Sequence, residues 1–238
     1  MNIAIIGYGK MGKMIEATAQ ERGHTVGTII DLGDEQLMAP DNLDQHDVAI
    51  EFTSPSTAFE NISKCMDAGL PVVSGSTGWT DRIGELKTRC KAEYLGFVYA
   101  SNYSLGVNIL FSLNERLAAI MQNHEAYDVS MTEIHHSQKL DAPSGTAISL
   151  ADGILGNVSR KKQWVLQDSG KDEDLWINAI RTGKVTGVHE VIYESVFDSL
   201  SIKHSAKDRR GFATGALVAA EFIKDRKGFF TMKDVLGL

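Results

Sequence analysis

The stretch Asn2-Ile-Ala-Ile-Ile6-Gly7-Tyr8-Gly9-Lys10-Met11-Gly12 runs from a nearly all-apolar segment straight into a glycine-rich turn. An apolar run this short matches a strand covered on both faces, as strands are in a parallel sheet. The glycines then acquire distinct duties. Gly7 permits a tight turn, Gly9 lets backbone approach a pyrophosphate, and Gly12 lets the following helix lie close against the strand. The first N–H groups of that helix have no partner within it, which makes the turn a place for phosphate. Asp31 stands where a second strand should end, at the distance from the turn where an acid accepts hydrogen bonds from ribose hydroxyls. Asp31 and the uncharged Leu32 beside it favour NADH, while Lys10 in the turn leaves NADPH, and dual use, open.

Outward from this turn the pattern alternates. Met11–Arg22 reads as a helix closed by Gly23, Thr25–Asp31 as a strand, Val48–Phe52 as a strand, and Ser56–Ala68 as a helix capped by Ser56 and stopped at Gly69. Pro71–Gly75 is then a strand, Asp81–Glu93 a helix and Gly96–Ala100 a strand. Such alternation with short connections builds an α/β fold: a Rossmann-like, doubly wound parallel sheet. After Asn102 the rhythm changes. Val107–Ile120 reads as an amphipathic helix, and strand-like runs follow at Val129–Ile134, Trp164–Leu166, Trp176–Ile180, Glu190–Val196 and Ser199–His204, with Gly170–Asp174 a polar loop. These predict a second, α+β domain with an open mixed sheet. Phe212–Lys224 returns to a helical pattern, with an apolar side expected to pack on the first domain. The expected organisation is therefore 1–104 with 212–238 as a dinucleotide-binding domain, and 105–211 as a second domain that carries the substrate site.

A second constellation lies in Glu133-Ile-His135-His136-Ser-Gln-Lys139-Leu-Asp141-Ala-Pro143-Ser144-Gly145-Thr146-Ala147. Pro143 biases Ala142 away from helix, and Ser144 is a natural N-cap for a helix starting at Gly145 and Thr146. Such a start can hold a carboxylate on the N–H groups of Gly145 and Thr146, with Lys139 and His136 adding charge or hydrogen bonds. His135 is a candidate acid, since imidazole titrates near neutrality. Adjacent histidines on an extended segment point to opposite faces, so no metal is expected here.

Composition narrows the classes. The chain has 238 residues, 43% of them hydrophobic, with 24 Lys and Arg against 31 Asp and Glu and a net charge of −7. That balance argues against nucleic acid as a partner. Cys65 and Cys90 have no metal-ligand spacing, which suits a reducing compartment. No apolar run approaches the ~18 residues of a membrane span, and the first residues pass directly into a strand, so a cytoplasmic location without membrane association is expected.

The Glu133–Ala147 block closely resembles the signature of the 4-hydroxy-tetrahydrodipicolinate reductase family, also called dihydrodipicolinate reductase. The resemblance extends to Gly7–Gly12, Glu51–Pro55, Gly75-Ser76-Thr77-Gly78, Ala100–Asn108, Arg181–His189 and His204–Gly215. It implies hydride transfer from NADH or NADPH to a small cyclic dicarboxylate, with loss of water. His135 and Lys139 match the family's acid positions, either of which could deliver the proton. His136, Lys139, Gly145, Thr146 and Thr77 match substrate contacts. Gly7, Tyr8, Gly9, Lys10, Met11, Gly12, Asp31, Gly75, Ser76, Thr77, Ala100, Ser101, Asn102, Tyr103 and Arg209 match the cofactor-binding set. Arg210 beside Arg209 shares that last match. The resemblance further implies a homotetramer, with 105–211 as the substrate-binding and oligomerisation domain. The residues alone also admit a non-catalytic NAD(H)-binding regulator, or a dehydrogenase for another amino or hydroxy acid.

Overall fold

A computed structural model describes residues 1–167 and 169–238. The chain divides into two compact units, Met1–Leu105 with Arg210–Leu238, and Gly106–Arg209.

In the first unit a six-stranded parallel sheet runs in the order β11-β5-β4-β3-β1-β2. Its strands are β1 (Asn2–Ile6), β2 (Thr25–Ile30), β3 (Val48–Glu51), β4 (Val72–Ser74), β5 (Gly96–Tyr99) and β11 (Gly228–Phe230). Alternate residues of one strand serve opposite cores, as a pleat requires. Ala4 and Ile6 join Ile62, Cys65 and Met66 of α3 (Ala58–Asp67) and Leu86 and Cys90 of α4 (Ile83–Ala92). Ile3 and Ile5 join Ile15 and Ala19 of α1 (Lys10–Glu21) and Ala213, Ala216, Leu217 and Ala220 of α7 (Arg210–Ile223). A short α2 (Pro40–Leu43) follows β2, and α8 (Met232–Leu236) ends the chain. The strand order reverses between β1 and β3, and open α/β sheets bind ligands outside the carboxyl ends at such a point.

The second unit has a mixed five-stranded sheet, β10-β9-β6-β8-β7, with helices on one face. The strands are β6 (Asp128–His135), β7 (Gln163–Val165), β8 (Asp174–Arg181), β9 (Gly187–Glu194) and β10 (Ser199–Ala206). β6 is parallel to β8 and antiparallel to β9. Val129, Met131, Leu175, Ile177, Val191 and Tyr193 pack on α5 (Leu105–Met121) and α6 (Gly145–Leu155). Among the described residues no helix is long and apolar enough to cross a membrane.

Three local expectations change. Ser56 does not cap α3. Its hydroxyl bonds Ser54 Oγ at 2.9 Å in the preceding turn, and Thr57 takes the cap position. The helix expected over Asp81–Glu93 opens as a 3-10 turn, Thr80–Arg82, before α4. Asp174 is not in a loop but begins β8, buried, because Ser169 Oγ and Gln163 Nε2 donate to its carboxylate at 2.5 and 2.9 Å.

Candidate functional site

The glycine turn of the first unit has the geometry its sequence implies. Gly7 has φ +91°, and a Cβ there would lie 2.1 Å from the Phe52 carbonyl oxygen. A Cβ on Gly12 would meet the Gly7 oxygen at 2.2 Å, so helix and strand approach this closely only because both are glycines. Around Gly9 the space is open, and α1 has neither a side-chain cap nor an acid in its first turn. The N–H groups of that turn are thus left for an anion, and the residues present fit a dinucleotide pyrophosphate. Lys10 is exposed, Met11 half-buried, and the Tyr8 hydroxyl bonds Glu16.

Asp31 follows β2 and lines a cavity of about 230 Å³ with Leu32, Glu35, Thr53, Ser54 and Asn61. Asp31 and Glu35 are its charged lining residues, and Leu32 is 89% exposed. Gly75, Ser76 and Thr77 continue from the carboxyl end of β4. A Cβ on Gly75 would strike the Phe52 ring at 2.1 Å, Ser76 is buried, and Thr77 is exposed. Ala100 is held to β4 by its N–H on the Ser74 oxygen at 3.3 Å, and exposed Ser101 and half-buried Asn102 follow. Tyr103 differs from a ligand-facing residue. Its side chain is in the core, and its hydroxyl donates to the Ser74 oxygen at 2.7 Å, pegging the segment from below. Arg209 is exposed at the end of the second unit.

In the second unit β6 delivers Glu133 and His135 to its buried face, two residues apart. Glu133 is 1% exposed, and its Oε1 accepts from Arg181 Nη2 at 2.7 Å and Ser144 N at 3.1 Å. Arg181 Nη2 also donates to the Asp141 carbonyl at 2.6 Å, tying β8 to the segment that carries Lys139. Glu133 Oε2 faces His135 Nδ1 at 3.4 Å and His189 Nε2 at 3.7 Å. Ser144 Oγ accepts from Ala147 N at 3.2 Å and shares a hydrogen bond with His189 Nε2 at 3.1 Å. Ser144 therefore caps α6 as the sequence suggests, and Gly145 is exposed with open space beside it while Thr146 is half-buried. Lys139 Nζ lies 2.7 Å from Asp141 Oδ1, and half-buried His136 accepts the Lys139 N–H on its carbonyl at 3.1 Å.

The electrostatics follow from burial and from this wiring. Burial pushes His135 below the ordinary imidazole range, Glu133 opposes that shift, and Lys139 and Arg181 reinforce it. For Glu133, burial works to raise the carboxyl, but the hydrogen bonds from Ser144 and Arg181 prevail and hold it low. The Lys139 ion pair comes first in lowering Asp141.

Glu133, Arg181 and His189 were not among the expected site residues. Glu133 had a signal, because the alternation of β6 places a carboxylate at an inward position. Arg181 and His189 arrive only through pairing, opposite His135 and Glu133 respectively. The same pairing gathers one ligand atom each from Glu133, His135 and His189 within 4.8 Å. This set draws on two strands, β6 and β9, rather than on the adjacent His135 and His136, and Arg181 already supplies a positive charge to its carboxylate. A larger open concavity of about 810 Å³, lined by Glu125, Arg160 and Glu194 among others, lies by the opposite end of β6 and contains none of the expected residues.

Comparison with known proteins agrees across the whole chain. The family described as "Dihydrodipicolinate reductase, N-terminus" matches residues 1–103, and "Dihydrodipicolinate reductase, C-terminus" matches 106–236. A relative named 4-hydroxy-tetrahydrodipicolinate reductase, from Christiangramia forsetii, is 50% identical over 99% of this chain and 98% of its own. One of the same name from Chromobacterium violaceum is 35% identical, covering 100% and 98%. Among solved structures, a dipicolinate-bound dihydrodipicolinate reductase from Paenisporosarcina sp. TG-14 shares the fold with TM-score 0.75 and 22% identity, over 97% of each chain.

Proposed function

The chain belongs to the dihydrodipicolinate reductase family, and we propose from its two clusters how it performs the family's reaction. It is an NAD(P)H-dependent oxidoreductase that reduces 4-hydroxy-tetrahydrodipicolinate, in lysine and diaminopimelate biosynthesis, to tetrahydrodipicolinate and water. The bound dinucleotide supplies the hydride.

We assign dinucleotide binding to Met1–Leu105 with Arg210–Leu238, and substrate binding and self-association to Gly106–Arg209. The α1 N–H groups after Gly7, Gly9 and Gly12 hold the pyrophosphate, and Asp31 accepts from the ribose hydroxyls. Glu35 adds a second negative charge to that cavity, and two acids with no lining cation among the described residues disfavour a ribose phosphate. NADH is accordingly the preferred donor. Gly75–Thr77 and Ala100–Asn102, on the far side of the turn from Asp31, hold the nicotinamide half.

A cyclic dicarboxylate, the class bound by the Paenisporosarcina neighbour, is held by the Gly145 and Thr146 N–H groups with Lys139 and His136. These groups overcome the chain's net charge of −7 locally. Burial first, and then Lys139 and Arg181 against the pull of Glu133, lower the His135 imidazole and disfavour its charged form. Lys139 therefore delivers the proton, and His135 assists by orienting and relaying it. The observation that carries this reading is the convergence of Lys139, His135 and the α6 N-terminus around the Glu133–Arg181 pair. The exposed Val196, Phe197 and Leu200 by the β10 edge suit self-association into a homotetramer, and a cytoplasmic location fits the buried free thiols.

The test is loss of NADH or NADPH absorbance with substrate generated in the cuvette from pyruvate and aspartate semialdehyde by a separate synthase. Turnover faster with NADH and inhibited by pyridine-2,6-dicarboxylate is expected, and Lys139→Met should lower kcat by about 10²–10⁴-fold. A Lys139→Met enzyme with normal kcat and only a raised KM would overturn the proton assignment.

A further inference from the structure

Glu51, the last residue of β3, is completely buried, and the chemistry described above makes no use of it. Its Oε2 accepts from Ser74 Oγ at 2.6 Å, and its Oε1 accepts from Ser76 Oγ at 2.7 Å, Thr53 N at 2.9 Å and Thr53 Oγ1 at 2.5 Å. Thr57 Oγ1 and Asn61 Nδ2 donate to Thr53 Oγ1 in turn, which leaves the Thr53 proton for Glu51. The hydroxyl protons of Ser74, Ser76 and Thr53 all point toward the carboxylate, and the Thr53 N–H is shared between it and Ser76 Oγ at 2.8 Å. Among the described residues no cationic side chain pairs with it, in contrast to Glu133, which Arg181 neutralises. Hydrogen bonds replace the water a buried carboxylate loses, but they leave its net charge uncancelled, and a charge in low dielectric acts over distance. Buried Tyr103 and Cys65 and half-buried Tyr99 lie within its field, and burial followed by Glu51 raises the Cys65 thiol. The Tyr103 hydroxyl is raised well above the phenol range by burial and then by Glu51, and Tyr99 is raised in the same order.

The place of this charge is specific. Glu51 pairs with Ile6 of β1 on one side and Ser74 of β4 on the other, at the carboxyl ends where the strand order reverses. Its donors Ser74 and Ser76 flank Gly75 and lead into Thr77, while Thr53, with Thr57 and Asn61 behind it, lines the cavity that holds Asp31. With Asp31 assigned to the adenosine half on the β2 side of the turn, Ser74–Thr77 on the β4 side belongs to the nicotinamide half, and Glu51 lies under the strand ends between the two. Loss of a hydride, a proton with two electrons, converts the neutral reduced ring into a cation.

We propose that Glu51 is an electrostatic positioning residue whose buried carboxylate favours the oxidised, cationic nicotinamide over the reduced one, and so favours hydride release. The proposal rests on the placement of the nicotinamide half given above. Glu51 touches no reacting atom; it acts through its field beneath the strand ends.

The experiment measures dissociation constants of NADH, NAD+ and benzamide adenine dinucleotide, a neutral isostere of NAD+, for the wild-type protein and for Glu51→Gln and Glu51→Asp. Wild type should bind NAD+ about tenfold tighter than the neutral isostere, as expected for a charge interacting across a protein interior. Glu51→Gln should bring that ratio close to one while leaving NADH affinity about unchanged, and Glu51→Asp should restore it. A ratio unaltered by Glu51→Gln, or an equal weakening of all three ligands, overturns the proposal, the latter because it marks a residue that only shapes the loops. Should Glu51→Gln not fold, wild-type protein alone decides, since equal affinity for NAD+ and its neutral isostere also overturns it. Failure of wild type to bind any of the three instead removes the dinucleotide site itself, and the proposal with it.

Discussion

His189 shows how burial turns a common side chain into a pH-sensitive one. It sits against Ser144 and Glu133, its ring centroid is 5.0 Å from that of His135, and its pKa is pulled down to about 4 by burial first and by His135 second. Glu133 resists that shift, while His204 and Lys139 add to it. Above the ordinary value of 6.5 both folded and unfolded chains hold this imidazole neutral, so its contribution to stability is complete there. As pH falls from 6.5 toward 4 the unfolded chain takes up a proton that the native state refuses, and stability falls by roughly 3 kcal/mol. Glu133, held below its usual value of 4.5, adds a loss of the same sign that begins as pH falls through that value. Urea midpoints at pH 7, 5.5 and 4 should therefore descend for the wild type, and His189→Asn should flatten the descent between pH 6.5 and 4. A variant as pH-dependent as the parent would assign that slope to other groups.

At the scale of elements, the start of α6 joins helix capping to the candidate site. Ser144 Oγ satisfies the Ala147 N–H, and Ser144 N donates to Glu133, so one residue anchors the helix to β6. Replacing Ser144 by alanine should cost about 1–2 kcal/mol from the lost cap. It should also raise the KM for the dicarboxylate more than that for NADH, because the N–H groups of Gly145 and Thr146 lose their fixed direction. Thermal melts and initial-rate kinetics read the two effects separately, and equal rises in both KM values would argue against an anion site here. The start of α1 is built the opposite way. It lacks a side-chain cap, and glycines at 7 and 12 let the backbone close up where any side chain would clash.

At the scale of the whole molecule, the chain returns to its first unit after completing the second. α7 fills one face of the parallel sheet with Ala213, Ala216, Leu217, Ala219, Ala220 and Ile223, all fully buried, and β11 pairs with β5 to end the sheet. Burying that apolar surface is worth roughly 8 kcal/mol, comparable with the ~5–15 kcal/mol that holds an entire domain together. A chain ending at Arg209 should lose NADH binding and the cooperative melting of the first unit. Circular dichroism and cofactor fluorescence titration test this, and retained NADH binding would show that the return segment is dispensable. The C-terminal family match at 106–236 spans both units, so the sequence family boundary is not the structural one.

Much of this protein is determined by local pattern. The run Asn2–Ile6 ending at Gly7, the alternation that follows, and the switch to a second sheet after Asn102 follow from periodicity and turn chemistry, which act between near neighbours. The Ser144 cap and the Lys139–His135 segment were legible for the same reason, as they lie within one short stretch of chain. The remainder depends on register between strands. Arg181 and His189 reach Glu133 only because β8 and β9 flank β6, and Glu51 meets Ser74 and Ser76 only because β3 lies beside β4. The interior-facing side of Tyr103 is likewise set by its packing on Phe52, with ring centroids 5.7 Å apart. Local sequence specifies which elements form and which side chains they offer. The tertiary structure decides which charges are buried together, because the cost of removing a charge from water depends on partners that pairing and packing bring from distant parts of the chain.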